Sequence, residues 1–491
     1  MDEGLETLEA LVPASLGLFP SLCVTGRYVL GRHRRCHSAS GLKAVPLPDG
    51  RVAVAVAEAP GGGAVAAVTT ARLFAVLYAR LEDGASLSDA LAGCDRCARR
   101  TPQGPGATMA VAVVAQDDGI TEVGTAGHTA PLHLTRTGRT RHLPLPASRP
   151  LGTGGVPTTA ELHLEIGDSL VLYTKGLVTA RDGLVATGTR RLEALLTEID
   201  PMRCADGDAV AEDVLGAMQR PSGFVDDVAL VVAQRCSPPT PFRFTGHVAP
   251  GERSRCTTAL SDWLAALGVS LVDHVTLQRA VDVIATSIVD SHATRTRAAF
   301  TVDAVLTDGG VVEIRLRCTT SWRPETPGRQ HALVVAGGLV DSLRLSHTTA
   351  SPNEDQVEHG TQVLLRQAVG RAVPLLRSVA HDSTGRLLEA ASGPSAMVRE
   401  TVPGSLWVTG AMGTEDEEEF RWALHEVTCS GTVSATIDLT GITRMTGHAV
   451  LTLFDFLERA ASSQVDLTVV ADEDSVADQV LTLAALPHVT H

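Results

Sequence analysis

The proline-dense stretch Ser237-Pro238-Pro239-Thr240-Pro241 limits the fold more than any other feature of the sequence. It follows an apolar run, Val228 to Val232, that reads as a strand. Proline has no N–H to give to a ladder, so the strand stops there and no sheet continues through it. A second break lies between Pro374 and Gly404, where Ser383-Thr384-Gly385, Ser392-Gly393-Pro394 and Pro403-Gly404 interrupt the apolar pattern. The 491 residues therefore divide into about three parts, in line with roughly 150 residues per domain.

Each part mixes strands and helices. In the first, Val52 to Ala57 and Met109 to Val114 read as strands, and Leu87 to Arg100 and Thr189 to Ile199 as helices. Ser86 is placed to cap the first of these helices. The second part opens with helices over Thr257 to Leu267 and Leu277 to Ser291, then strands over Ala298 to Leu306 and Val311 to Arg317. In the third, strands at Ser405 to Thr409, Ser434 to Leu439 and Val465 to Val470 alternate with helices at Glu415 to Val427, His448 to Ala461 and Ser475 to Ala484. That alternation predicts a small α/β domain.

Composition excludes several classes. Net charge is −15, which argues against a nucleic-acid partner held by phosphate contacts. No apolar run reaches the roughly 18 residues of a membrane helix, and the acidic start MDEGLETLEA is unlike a signal peptide; a cytoplasmic protein with no membrane partner is expected. Nine scattered cysteines do not make a disulfide framework. Cys94 and Cys97 form a CxxC that His33, Cys36 and His37 could complete as a zinc site, but on a helix such a pair more often packs as small apolar groups. Of the 41 basic residues only Lys43 and Lys175 are lysine, leaving 39 arginines.

Six stretches occur in a telling order in the first part. They are Leu11-Val12-Pro13-Ala14-Ser15-Leu16, Pro46-Leu47-Pro48-Asp49-Gly50-Arg51, Glu58-Ala59-Pro60-Gly61-Gly62-Gly63, Ala126-Gly127-His128, Leu172-Tyr173-Thr174-Lys175-Gly176-Leu177 and Gly223-Phe224-Val225-Asp226-Asp227-Val228. Together residues 5–236 resemble the SpoIIE-like branch of the metal-dependent (PPM, type-2C) serine/threonine phosphatases. The resemblance implies a layered α/β/β/α sandwich and hydrolysis of phosphoserine and phosphothreonine with two Mn²⁺ or Mg²⁺ ions. Such ions require charged oxygen ligands. The family places aspartates in GGDxxD, DxxGHG and YTDG motifs and in a final Asp-Asp. Here those positions read Ser40 and Lys43, then Glu58 with Gly62 at the motif histidine, then Lys175; only Asp226 and Asp227 are unchanged. An ammonium at position 175 repels the ions a carboxylate would bind, so the resemblance implies no intact catalytic set and no required cofactor. Lys175 could instead stand among Glu58 and Asp226 as the cation, and breaking such a buried pair costs about 3–5 kcal/mol. The alternative is a live phosphatase in which Glu58, Asp226 and Asp227 hold one Mn²⁺ or Mg²⁺. His128 reads as a turn residue rather than a base.

After the linker 237–241, residues 242–375 resemble the histidine-kinase-like ATPase domain of anti-sigma-factor kinases, an α/β sandwich. The matching stretches are Ser261-Asp262-Trp263-Leu264-Ala265-Ala266-Leu267-Gly268, Ala280 through Ala293, Ser321-Trp322-Arg323-Pro324 and Gly360-Thr361. An active member carries a basic Glu and a Mg²⁺-holding Asn four residues apart, on one helix face. Here they are Val283 and Ser287; the adenine-binding aspartate matches Thr319, and the glycine-rich lid matches Gly328-Arg329-Gln330-His331. Kinase activity is not expected, although a nucleotide sensor without phosphotransfer is a further reading. Beyond a linker over 376–402, residues 403–491 resemble a STAS domain, the fold of anti-sigma-factor antagonists, through Ile437-Asp438-Leu439-Thr440-Gly441-Ile442-Thr443. The phosphorylated serine of that family sits at a helix N-terminus, which suits phosphate. Here the position is Gly447, with Thr446 adjacent; Glu415-Asp416-Glu417-Glu418-Glu419 reads as an acidic helix start. The three resemblances imply a partner-switching regulator of sigma factors with anti-sigma factors and STAS antagonists as partners. The family predicts a contact between an ATPase domain and a STAS domain of separate chains, and the sequence leaves open whether the two segments of this chain make it with each other.

Overall fold

The computed structural model describes residues 12–13, 15–31, 38–61, 64–155, 157–179, 185–219, 223–247, 250–291, 299–319, 327–348, 360–377, 397–402, 404–412, 417–428, 433–445, 447–462, 465–473, 475–483 and 486–490. Arg51–Pro60 shows how the first part is built. Its sequence RVAVAVAEAP alternates valine with alanine, and all eight inner residues are buried. Both faces of this strand are therefore covered. Register places Leu42 opposite Val56 and Ser40 opposite Glu58, so the valines and Glu58 share one face and the alanines the other. The alanine face lets the helices Ala64–Glu82 and Leu87–Arg100 pack close. Ser86 caps the second helix, accepting from Asp89 N at 3.1 Å.

The five-stranded sheet runs Ser38–Pro46, Arg51–Pro60, Thr108–Ala115, Ile120–Ala126, Thr158–His163 in spatial order. A second sheet packs on its valine face. Its order is Leu375–Arg377, Leu22–Leu30, Val228–Arg235, Ser169–Tyr173, Leu132–Leu134, Thr140–His142. The helices Val185–Glu198 and Gly207–Met218 cover the outside of that sheet. The result is four layers, helix, sheet, sheet, helix.

One strand of the second sheet comes from far along the chain. Leu375–Arg377 runs parallel to Tyr28–Leu30, and Gly370–Ala372 pairs antiparallel with Ser15–Gly17. The segment expected to close the second part and open a linker thus returns to the first. Arg371 Nη1 reaches Asp208, whose other oxygen accepts from Arg27 Nη2 at 2.7 Å. Leu18 in turn lies in the hydrophobic core of the second part.

That second part is a five-stranded antiparallel sheet ordered Phe242–His247, Ala299–Leu306, Val311–Cys318, Gly360–Ala368, Ser342–Thr348. Helices Pro250–Leu267, Leu271–Ser291 and Pro327–Leu339 bury one face of it. The helix expected from Leu277 begins six residues earlier, because Ser270 caps it: its hydroxyl accepts from Asp273 N at 3.3 Å and donates to Asp273 Oδ2 at 2.7 Å. The third part orders its strands Met397–Val402, Ser405–Ala411, Ala435–Arg444, Leu467–Ala471, Val489–Thr490 around its own core. Its helix Gly447–Ser462 packs against Leu271–Ser291. No described helix is long and apolar enough to cross a membrane.

Candidate functional site

The two sheets of the first part converge on Glu58. It is 4% exposed, and one strand row sets Ser40, Glu58 and Thr108 side by side. From the facing sheet, the turn after Ser169–Tyr173 brings Lys175 across. Lys175 donates its backbone N–H to Glu58 Oε2 at 3.3 Å, and its Nζ stands 3.4 Å from Glu58 Oε1. One residue therefore engages both carboxylate oxygens. The Lys175 side chain is 43% exposed, so its ammonium lies at the rim while the carboxylate is inside.

The Asp226-Asp227 pair lies in the loop before Val228–Arg235. Asp227 Oδ2 accepts the Tyr28 hydroxyl at 2.9 Å, and Oδ1 accepts Gly31 N at 2.8 Å. Tyr28 is fully buried and also reaches the Ser40 carbonyl at 3.3 Å; the Ser40 hydroxyl donates to the Asp227 carbonyl at 3.4 Å. Glycine is required beside this loop. A Cβ at Gly176 would meet Asp227 O at 2.2 Å, and one at Gly31 would meet Val225 O at 2.6 Å. The expected pairing of Lys175 with Asp226 does not form: Lys175 pairs with Glu58, and the buried Asp226 Oδ1 has no hydrogen-bond partner. The backbone N–H and the ammonium of Lys175 both turn instead to the strand row that carries Glu58.

His128 follows Gly127, whose φ of +66° and close approach to Pro150 exclude a side chain there. Its Nδ1 lies 2.9 Å from Thr108 Oγ1. Desolvation holds the imidazole below its ordinary pKa; nearby Glu58 opposes this and Lys175 adds to it. His128 thus completes the row Ser40, Glu58, Thr108 as a largely neutral ring.

Hard divalent ions take several charged oxygens. Both Glu58 oxygens here face Lys175, both Asp227 oxygens are engaged, and Asp226 contributes a single unpartnered atom. Among the described residues, no three His, Cys, Asp or Glu side chains gather as a ligand set. The residues present do not fit a two-ion centre. Lys43 lies opposite Ala55, three residues past Ser40 and hence on the helix-facing side of its strand. Gly62 lies outside the described residues.

The remaining expected residues are spread over the other parts. Val283 and Ser287 lie one turn apart on Leu271–Ser291, with Ser287 buried. Thr319 closes a strand end, exchanging bonds with the backbone of Ala299. Gly447 is the first residue of its helix. Thr446, Glu415, Asp416, His33, Cys36 and His37 lie outside the described residues. Cys94 is fully buried against the Leu73 carbonyl, and burial pushes its thiol up to about 12; Cys97 faces Thr101. Sequence reasoning missed Tyr28, Gly31 and Thr108. None carries a motif, although Tyr28 is a rare aromatic in a strand.

Comparison with known proteins bears on this site. Residues 48–236 match the Stage II sporulation protein E (SpoIIE) family. The crystal structure of the RsbU and RsbW domains of Rv1364c from Mycobacterium tuberculosis aligns with 74% of this chain and 99% of its own, at 24% identity and a TM-score of 0.64. The PP2C phosphatase domain of SpoIIE from Bacillus subtilis, with a fragment of its regulatory domain, aligns with 44% of this chain and 64% of its own, at 16% identity and a TM-score of 0.37. RsbX in complex with magnesium aligns with 44% of this chain and 96% of its own, at 16% identity and a TM-score of 0.33. The family match supports a SpoIIE-type domain in the first part, and the first of these likenesses shows a shared fold over 74% of this mixed α/β chain.

Proposed function

We propose that this chain is a partner-switching regulator of sigma-factor control that acts by binding proteins, with a SpoIIE-type module that no longer hydrolyses phosphoprotein. One observation carries the reading: Lys175 takes up both oxygens of Glu58 where the resemblance calls for a metal-ligand aspartate. A fixed ammonium in that place neutralises the buried carboxylate without an ion. The second part is read as a histidine-kinase-like ATPase domain lacking the base, at Val283, and the magnesium ligand, at Ser287. The third is read as a STAS domain with Gly447 at the phosphoacceptor position. Packing of Gly447–Ser462 on Leu271–Ser291 supports a regulator whose antagonist-like part is held against its kinase-like part within one chain. Its partners are then anti-sigma factors and STAS antagonists.

The test is release of phosphate from a phosphorylated STAS-domain protein, with and without Mn²⁺, by the natural chain and by Lys175→Asp. The proposal expects no metal-dependent turnover by the natural chain. Turnover would establish the other reading, an active metal-dependent phosphatase, for which the unpartnered Asp226 Oδ1 is the supporting observation.

A further inference from the structure

The face of the second part's sheet that lies away from its helices is built differently from its apolar inner face. Strand register lines up Arg243, Asp303, Arg315, Leu364 and Arg344 in one row across all five strands. The next row holds Thr301, Arg317, Gln362 and Ser346, and the row on the other side holds Val305, Glu313, Arg366 and Ser342. Among the described residues, helices cover only the opposite face, and the helix of the third part packs on that helical layer. Five guanidinium groups and two carboxylates thus project from one surface, leaving three positive charges uncompensated on a chain of net charge −15.

The arginines are held in place. Asp303 accepts from Arg243 Nε at 2.7 Å and from Arg317; Glu313 pairs with Arg315 at 3.3 Å and with Arg366 at 2.8 Å. Each acid orients two guanidinium groups yet uses few of their five N–H donors, and these arginine side chains remain 45–74% exposed. Oriented forks of this kind accept further carboxylates in bidentate geometry. Arg344 joins no ion pair among the described residues. Alternate residues of an extended chain lie about 6.7 Å apart, so Arg315 and Arg317 on one strand match the spacing of alternate carboxylates in an extended acidic peptide.

We propose that this face docks an acidic polypeptide segment of a partner protein, independently of the reading of the Glu58 site. Carboxylate rather than nucleic-acid phosphate is the fitting anion. The face already seats two carboxylates among its arginines and, among the described residues, presents no aromatic ring for base stacking.

The test uses the full chain and a fluorescein-labelled ten-residue peptide of alternating glutamate and serine, followed by fluorescence anisotropy at 50 and 300 mM salt. The expected result is saturable binding that weakens about tenfold at the higher salt and at least tenfold in the triple variant Arg315→Ser/Arg317→Ser/Arg344→Ser. Arg190→Ser, on an exposed helix of the first part, should bind as the natural chain does. Should the triple variant fail to fold by circular dichroism, Arg344→Glu alone serves, since no described ion pair depends on it; it should weaken binding severalfold. Absence of saturable binding, undiminished binding by the folded variants, or tighter binding of a single-stranded oligonucleotide of equal charge would each overturn the proposal.

Discussion

Replacing Lys175 with methionine keeps the aliphatic stem and the backbone N–H to Glu58 at 3.3 Å but deletes the ammonium 3.4 Å from Glu58 Oε1. A fully buried ion pair broken from one side costs about 3–5 kcal/mol. Glu58 meets that condition at 4% exposure, but Lys175 is 43% exposed, and solvent screens its half of the pair. Discounting toward the value of exposed pairs brings the expected loss to about 1–2 kcal/mol. For a layered unit of this size that is roughly a 3–6 °C drop in Tm. Urea unfolding of Lys175→Met, Glu58→Gln and the double variant closes a mutant cycle, with an expected coupling near 1 kcal/mol. Glu58→Gln should also soften the effect of Lys175→Met, since no buried charge is then stranded. If Lys175→Met unfolds like the natural protein and the two changes add within about 0.4 kcal/mol, the ammonium does not neutralise Glu58 and the reasoning fails.

Other outcomes follow from the same geometry. Tyr28→Phe removes the hydroxyl 2.9 Å from Asp227 Oδ2 and should cost about 1.5–3 kcal/mol in urea unfolding, as for a bond to a charged group. Gly176→Ala puts a Cβ 2.2 Å from the Asp227 carbonyl; a loss of about 1–3 kcal/mol is expected, read by thermal melting. His128 is held neutral, its folded pKa depressed, so its share of stability is complete above the unfolded value near 6.5 and is lost as pH falls from there toward the folded value. Melting temperature from pH 7.5 to 5 should therefore fall less steeply in His128→Gln than in the natural chain.

Much of the layout was legible because local signals agreed with tertiary demand. The alternation in Arg51–Pro60 and the Ser86 cap could be read directly, and so could the end of Val228–Arg235 before the prolines that follow Ser237. The Lys175 position was legible only through the Tyr-Thr-Lys-Gly pattern, and even then its partner was misjudged in part. Sequence offers no means of choosing between Glu58 and Asp226, because the choice is made by which strand row lies across the cleft. The return of Gly370–Ala372 and Leu375–Arg377 to the first part was hidden for a related reason. Three-residue strands around Pro374 carry no period, and their partners lie more than 300 residues away. The arginine grid is different: alternate arginines at 315 and 317 are visible in the sequence, but only register lines Arg315 up with Arg243 and Arg344.

The central claim is that Lys175 stands in for a metal ion, and calorimetric titration of the natural chain and of Lys175→Asp with Mn²⁺ tests it most directly. The account predicts no saturable heat from the natural chain at millimolar Mn²⁺. Stoichiometric Mn²⁺ binding by the natural chain, undiminished by its intact lysine, would contradict it.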